Sequence, residues 1–214
     1  MLAGVAGKAY DYIFNCIVSG EFPLGSPISE ADIAATLGIS RAPIREAFKI
    51  LQAESLITYF HGRGTFVMTI SQEDVIELFE LRIAFEITAL RNDYNIIPDY
   101  ELIKVRKAIE ALDDNAMPEQ FYAVDSMLHG MIVRYCGNER LIRFYDTINK
   151  QFSIVRRISA SDPDHFSRSK KWHFKILDAI QNRNLEDAEK LLYNHLRETQ
   201  NSTFVSQYHN YSRR

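Results

Sequence analysis

The chain of 214 residues carries 25 Lys and Arg against 28 Asp and Glu, a net charge of −3 that favours neither nucleic acid nor membrane by bulk attraction. No apolar run approaches the roughly 18 residues that span a bilayer, and no charged leader with a cleavage site opens the sequence, so a cytoplasmic protein is expected. The two cysteines, Cys16 and Cys136, form neither a CxxC pair nor a disulfide framework and are expected to be buried as small apolar residues.

In "KAYDYIFNCIVS", residues 8–19, Tyr10, Ile13, Phe14 and Ile17 recur at helical spacing, and Gly20 supplies a stop. "EFPLGSP" reads as a loop, after which Ser29 is placed to cap a second helix with Asp32 at its third position; Gly38 closes that helix. Ser40 is the expected cap of a third helix, whose Pro43 falls in the first turn, where backbone N–H groups have no helical partner. Two short helices across a Gly-containing turn outline a helix-turn-helix. "LITYFHGRGTFVMTI" then turns to β-branched and aromatic residues on both sides of "HGRG", the pattern of a β-hairpin. Residues 1–70 are therefore expected to form a winged helix-turn-helix.

From Ser71 onward the period is helical almost without interruption, with breaks at Asn95–Pro98, Asn115–Pro118, Gly137, Asp162–Asp164 and Asn182–Asn184. Residues 71–214 thus read as an all-α bundle of six or so helices, without internal repeat. The fold class is mainly α.

The stretch "LGISRAPIREAFKIL" divides its labour. Ile44, Phe48 and Leu51 are spaced to face a small core, which leaves Arg41, Arg45 and Lys49 on a neighbouring stripe. A helix entering the major groove of DNA needs that division, because arginine forks pair with guanine edges or phosphates while the apolar face holds the helix to its scaffold. A solvated basic face is the bland alternative, but the capped helix before the stripe and a hairpin tip of His61, Gly62 and Arg63 belong to the same DNA-binding geometry. Residues 1–70 hold five Lys and Arg but six Asp and Glu. Affinity must therefore come from local placement and from two copies, that is, from a homodimer on a pseudo-palindromic double-stranded operator.

The run "SEADIAATLGISRAPIREAFKILQAESLITYFHGRGTFV" resembles the winged-helix signature of the GntR family of bacterial transcriptional regulators. The resemblance implies DNA contacts at Arg41, Arg45, His61 and Gly62. The sequence departs from the family pattern at Leu24-Gly25, where Pro-Gly is usual, at Glu54-Ser55, where Glu-Gly is usual, and at Ala31, where a basic residue often reads bases.

In the helical part, Asp125 and His129 stand four residues apart, so both project from one helix face as a pair suited to a divalent metal or to a plain salt bridge. His165, His173, His195 and His209 are the remaining histidines to consider there. "ELRIAFEITA", "DSMLHGMIVRYCGNERL" and "KWHFKILDAIQNRNLEDAEKLLYNHL" look like the FCD domain that marks the FadR subfamily of GntR regulators. Its metal-containing branch implies a divalent ion on Asp125, His129, His173 and His195, with zinc expected and nickel or manganese as alternatives. A small carboxylate metabolite would complete the shell of such an ion, and Arg82 and Arg134 are the expected cationic partners of that effector. A metal-dependent enzyme with an appended DNA-binding domain is the competing reading, and no HExxH, Gly-rich phosphate loop or evident general base supports it.

Overall fold

The computed structural model describes residues 4–93, 96–113, 116–159 and 164–211; the breaks expected at Asn95, Asn115 and Asp162 lie outside them. The chain divides into two compact units, Met1–Ser71 and Gln72–Arg214.

In the first unit, helix α1 (Gly4–Ser19) begins before the apolar spacing suggests, because Ala6, Gly7 and Ala9 extend its buried face with small residues that a search for large apolar side chains passes over. Its chain turns away at Gly20, whose φ of 83° is left-handed. Pro27–Ile28 then form a two-residue strand, β1, where the sequence reads as loop. The strand exists because it pairs with the edge of a later one, Pro27 with Phe66 and Ile28 with Thr65. Two residues are too few to display an alternating pattern.

Helices α2 (Glu30–Leu37) and α3 (Arg41–Ala53) follow. Ser29 caps α2 as expected, its hydroxyl accepting from the Asp32 N–H at 3.3 Å. Ser40 occupies the corresponding position before α3 but makes no side-chain cap. Pro43, third in that helix, lacks the N–H that a capping hydroxyl would take. On α3, Ile44, Ala47, Phe48 and Leu51 are buried. Strands β2 (Ile57–Phe60) and β3 (Gly64–Val67) form the wing, paired from Ile57–Val67 to Phe60–Gly64 around a tip of His61, Gly62 and Arg63. The sheet order is β1-β3-β2.

Both α2 and α3 stop on the same hydrogen-bond pattern. After α2, Gly38 (φ 64°) donates to the Ala35 carbonyl and Ile39 to that of Ala34. After α3, Ser55 donates to Gln52 and Leu56 to Leu51, with Ser55 at φ 58° where glycine is the residue without steric cost. Residues 68–71 connect β3 to the second unit, and Met68 donates to the Leu56 carbonyl at 3.0 Å, tying the connector down.

The second unit consists, among the described residues, of helices α4 (Gln72–Asp93), α5 (Asp99–Glu110), α6 (Pro118–Arg134), α7 (Glu139–Ser159), α8 (His165–Gln181) and α9 (Leu185–Tyr211). Pro118 opens α6, and the Gln120 side chain reaches back to accept the Met117 N–H at 3.0 Å. Leu90, Leu128, Ile132, Ile176, Leu177, Leu192 and Leu196 are fully or almost fully buried at its core. Phe79 and Phe152 meet edge to face at 4.7 Å between ring centres. Cys16 and Cys136 are both free and buried. Among the described residues, no helix is long and apolar enough to cross a membrane. The observed class, mainly α with a small winged element before a helical bundle, is the one the sequence predicts.

Ser55→Gly removes the steric cost of a left-handed serine, about 1–3 kcal/mol, and adds an entropic cost of about 0.5–1 kcal/mol, so it is expected to stabilise the protein by about 1 kcal/mol in urea unfolding. An unchanged midpoint would mean the bend carries no strain.

Candidate functional site

Two groups of side chains invite chemistry, one exposed on the first unit and one buried in the second. On α3, Arg41, Arg45 and Lys49 are all exposed, and so are His61, Gly62 and Arg63 at the wing tip. The buried α3 residues turn the basic stripe outward, as the helical spacing requires. Arg45 is ion-paired to Glu30 of α2, Nε to Oε2 at 2.8 Å, with 63% of its side chain still exposed. The Arg63 guanidinium lies over Phe60 and Phe66, 5.9 and 5.7 Å from their ring centres, which stiffens the tip.

The second unit gathers Asp125 and His129 from α6, His173 from α8 and His195 from α9, all buried, with one ligand atom of each inside a span of 4.8 Å. The contacts close a ring. Asp125 Oδ1 lies 3.4 Å from His129 Nε2 and 3.3 Å from His173 Nε2, and His195 Nε2 lies 3.3 Å from both His173 Nε2 and His129 Nε2. Neighbouring ligands at metal–ligand distances of about 2.0–2.2 Å stand about 3.0–3.5 Å apart, so the donor set has the chemistry and the spacing for a first-row divalent ion. Burial pushes the His173 and His195 imidazoles down, aided for His195 by the neighbouring histidines, which leaves them in the neutral form that ligates metal.

Around the ring lies a shell of buried charge in which the sequence singles out Arg82 but not Glu86 or Arg156. Glu86 of α4, wholly inaccessible, approaches His129 Nδ1 at 2.6 Å and accepts from Arg82 Nε at 2.6 Å and Tyr145 Oη at 3.0 Å. Burial raises the Glu86 carboxyl, but Arg82 and His129 prevail and hold it at about 2. For His129, burial and Arg82 push down while Glu86 and Asp125 pull up more strongly, so its value rises. A carboxylate on Nδ1 fixes the ring so that Nε2 faces the cluster.

Arg156 of α7 is the second addition. Its Nε lies 3.1 Å from Asp125 Oδ2, and Arg82 Nη2 lies 3.7 Å from the same oxygen. These three buried atoms attract by charge, yet none completes an aligned hydrogen bond. Arg82 and Arg156 also flank the Phe152 ring, at 4.4 and 5.5 Å.

Arg134 is not brought to this centre; its side chain is exposed at the end of α6. Five residues at about 100° each turn it about 140° away from His129, so the residue one turn beyond His129 is the buried Val133. His165 is buried against Phe121 beside a small recess that it lines together with Ser169 and His195, and the His209 side chain lies outside the described residues. Glu86 stands four residues after Arg82, a spacing that signals an ion pair on one helix face. Tyr145 and Arg156 reach the centre only through tertiary packing.

Known proteins give these features a context. Residues 5–67 match the bacterial regulatory proteins of the gntR family, and residues 77–198 match the FCD domain. The "Probable D-xylose utilization operon transcriptional repressor" of Paenarthrobacter nicotinovorans is 31% identical over 90% of this chain and 85% of its own length. The HTH-type transcriptional repressor RspR of Escherichia coli is 25% identical over 89% of the chain and 83% of its own. Among solved structures, the Zn2+-bound FCD domain of TM0439 is similar with a TM-score of 0.59 and 26% identity, covering 65% of this chain and 98% of that one. Family and relatives alike are transcriptional regulators, not enzymes. With a winged helix matching the gntR family and a helical unit matching the FCD domain, the chain belongs to the GntR family and is a DNA-binding transcriptional regulator with an FCD domain.

Proposed function

We propose that this regulator acts as a homodimer on a pseudo-palindromic operator, holds one divalent ion on Asp125, His129, His173 and His195, and responds to a small carboxylate bound beside that ion. The observation that carries the reading is the convergence of four ligand atoms of the right types within 4.8 Å. Zinc is the first choice, supported by the Zn2+-bound FCD domain of TM0439 and by the imidazole-rich donor set; nickel or manganese would suit the same donors. Bound there, the ion would supply Lewis acidity toward an anion. The chain's own contribution is orientation and charge. Glu86 holds the His129 ring, and Arg82 and Arg156 present buried guanidinium donors next to Asp125. Arg82 Nη2 and Arg156 Nε are the donors without an aligned partner, the Arg156 Nη atoms being held by Ser126 and Asn149, so Arg82 and Arg156, rather than Arg134, are the expected effector partners, one charge-assisted donor from each.

Arg41, Arg45, Lys49, His61, Gly62 and Arg63 are the proposed DNA contacts, with α3 in the major groove. Residues 1–70 form the DNA-binding part and 71–214 the effector-binding and pairing part. Leu81 on α4 and Phe144 on α7, exposed at 44% and 65%, lie on packed neighbouring helices and are apolar surface that pairing would cover. An effector regulates such a dimer only if it favours one arrangement of the two winged helices over the other.

Metal content and the binding of acetate, lactate and citrate are to be followed together in wild type, His173→Ala, Glu86→Gln and Arg82→Ala. His173→Ala should lose the ion, Glu86→Gln should weaken it about 10–100-fold, and Arg82→Ala should keep the ion but lose the acid. Metal and acid binding that survive His173→Ala would overturn the site. Acid binding without effect on operator affinity would overturn the regulatory role.

Arg41→Ala and Arg45→Ala should each weaken operator binding by about 1–3 kcal/mol with folding intact. Sedimentation at micromolar concentration should show a dimer. A monomer that grips one half-site tightly would refute the two-copy reading.

A further inference from the structure

The DNA face of a regulator carries an acid at a conspicuous place. Glu30 opens α2, next to the capping residue Ser29, and its carboxylate reaches across to α3 to hold Arg45 Nε at 2.8 Å. The two side chains are 32% and 63% exposed, so water competes for the pair and it adds little to stability. Its placement is informative for another reason. Binding through Nε occupies one edge of the guanidinium and leaves the terminal Nη pair, the end that forks onto the O6 and N7 of guanine. The carboxylate itself is held at the first turn of α2, where the helix dipole favours negative charge. Arg45 is thereby anchored on the second helix of the motif as well as on its own.

We propose that Glu30 is a positioning residue for sequence discrimination: it holds Arg45 end-on toward a guanine edge and, as a negative charge on the DNA face, disfavours contact with phosphates at any other sequence. This rests on the reading of Arg45 as a base contact. A free arginine on a helix sweeps many phosphates and bases with similar energy, which raises affinity for all DNA alike. A buttressed one loses less rotamer freedom on meeting its base and gains little elsewhere. Off the operator the acid weakens the phosphate contacts that Arg45 would otherwise make, whereas at the operator the guanine edge takes the arginine and offsets the repulsion. The excess of acids over bases in residues 1–70 then has a use at one position at least.

The test uses the full-length protein and two duplexes of equal length, one carrying the sequence that wild type selects from a random library and one with that sequence scrambled. Affinity for both is measured against salt for wild type, Glu30→Ala, Glu30→Gln, Arg45→Ala and the double variant Glu30→Ala/Arg45→Ala. Glu30→Ala should lower the ratio of operator to scrambled affinity about tenfold while scrambled binding stays level or tightens. Glu30→Gln, which keeps an acceptor oxygen, should restore part of the ratio. The double variant should discriminate no worse than Arg45→Ala. A wild-type ratio in Glu30→Ala, or an equal loss on removing Glu30 from the Arg45→Ala background, would overturn the positioning role while leaving the Arg45 contact standing. A wild-type ratio in Arg45→Ala would instead overturn the base contact, and the positioning role with it.

Discussion

A carboxylate with no access to water must find its donors inside the protein, and Glu86 imposes that condition on the helical unit. Its donors come from three helices, Arg82 on α4 itself, Tyr145 on α7 and His129 on α6. His129 passes the requirement to Asp125 and His195, and Asp125 passes it to Arg156 and His173. Five helices are thereby tied to one polar centre. The aliphatic core around it supplies most of the apolar burial, but aliphatic packing tolerates repacking, whereas a buried charge does not tolerate a lost partner.

The two units handle charge in opposite ways. The winged unit leaves its cations in solvent, where they cost nothing until DNA arrives, and restrains one of them with a surface acid. The helical unit takes two arginines and two carboxylates out of water and balances them against each other, stacking both guanidinium groups on Phe152. Burial of that kind suits a site for a small ligand, since each donor is fixed before the ligand enters and the low local dielectric strengthens each contact.

Much of this was legible in the amino-acid sequence where the signal is local. The Ser29 cap, the Gly38 stop, the α3 apolar face and the helical run after residue 71 are each written within a few neighbouring residues. Asp125 and His129 share a face by spacing alone, while His173 and His195 joined them only through resemblance to a family, because nothing in a single sequence says which helices touch. The misreadings have the same root. The Ser40 cap failed because Pro43 removes the donor, a detail two rules away from the propensity of serine; β1 is made by its partner strand; Arg134, five residues after His129, points away from the metal-ligand face and stays exposed. Glu86, Tyr145 and Arg156 form a tertiary network whose members stand 43 to 59 positions apart where Glu86 meets the α6 and α7 side chains.

The way the chain enters the second unit has a mechanical consequence. Helix α4 starts at Gln72, directly after the connector of residues 68–71 that Met68 pins to Leu56, and the same helix carries Arg82 and Glu86 into the polar centre. At about 1.5 Å per residue, Arg82 stands about 15 Å along that rod, so a tilt of about 5° about the centre displaces the near end by about 1.3 Å. Within the helical unit, then, the first turns of α4 magnify a small rearrangement of the buried charges, by an amount set by their distance from Arg82.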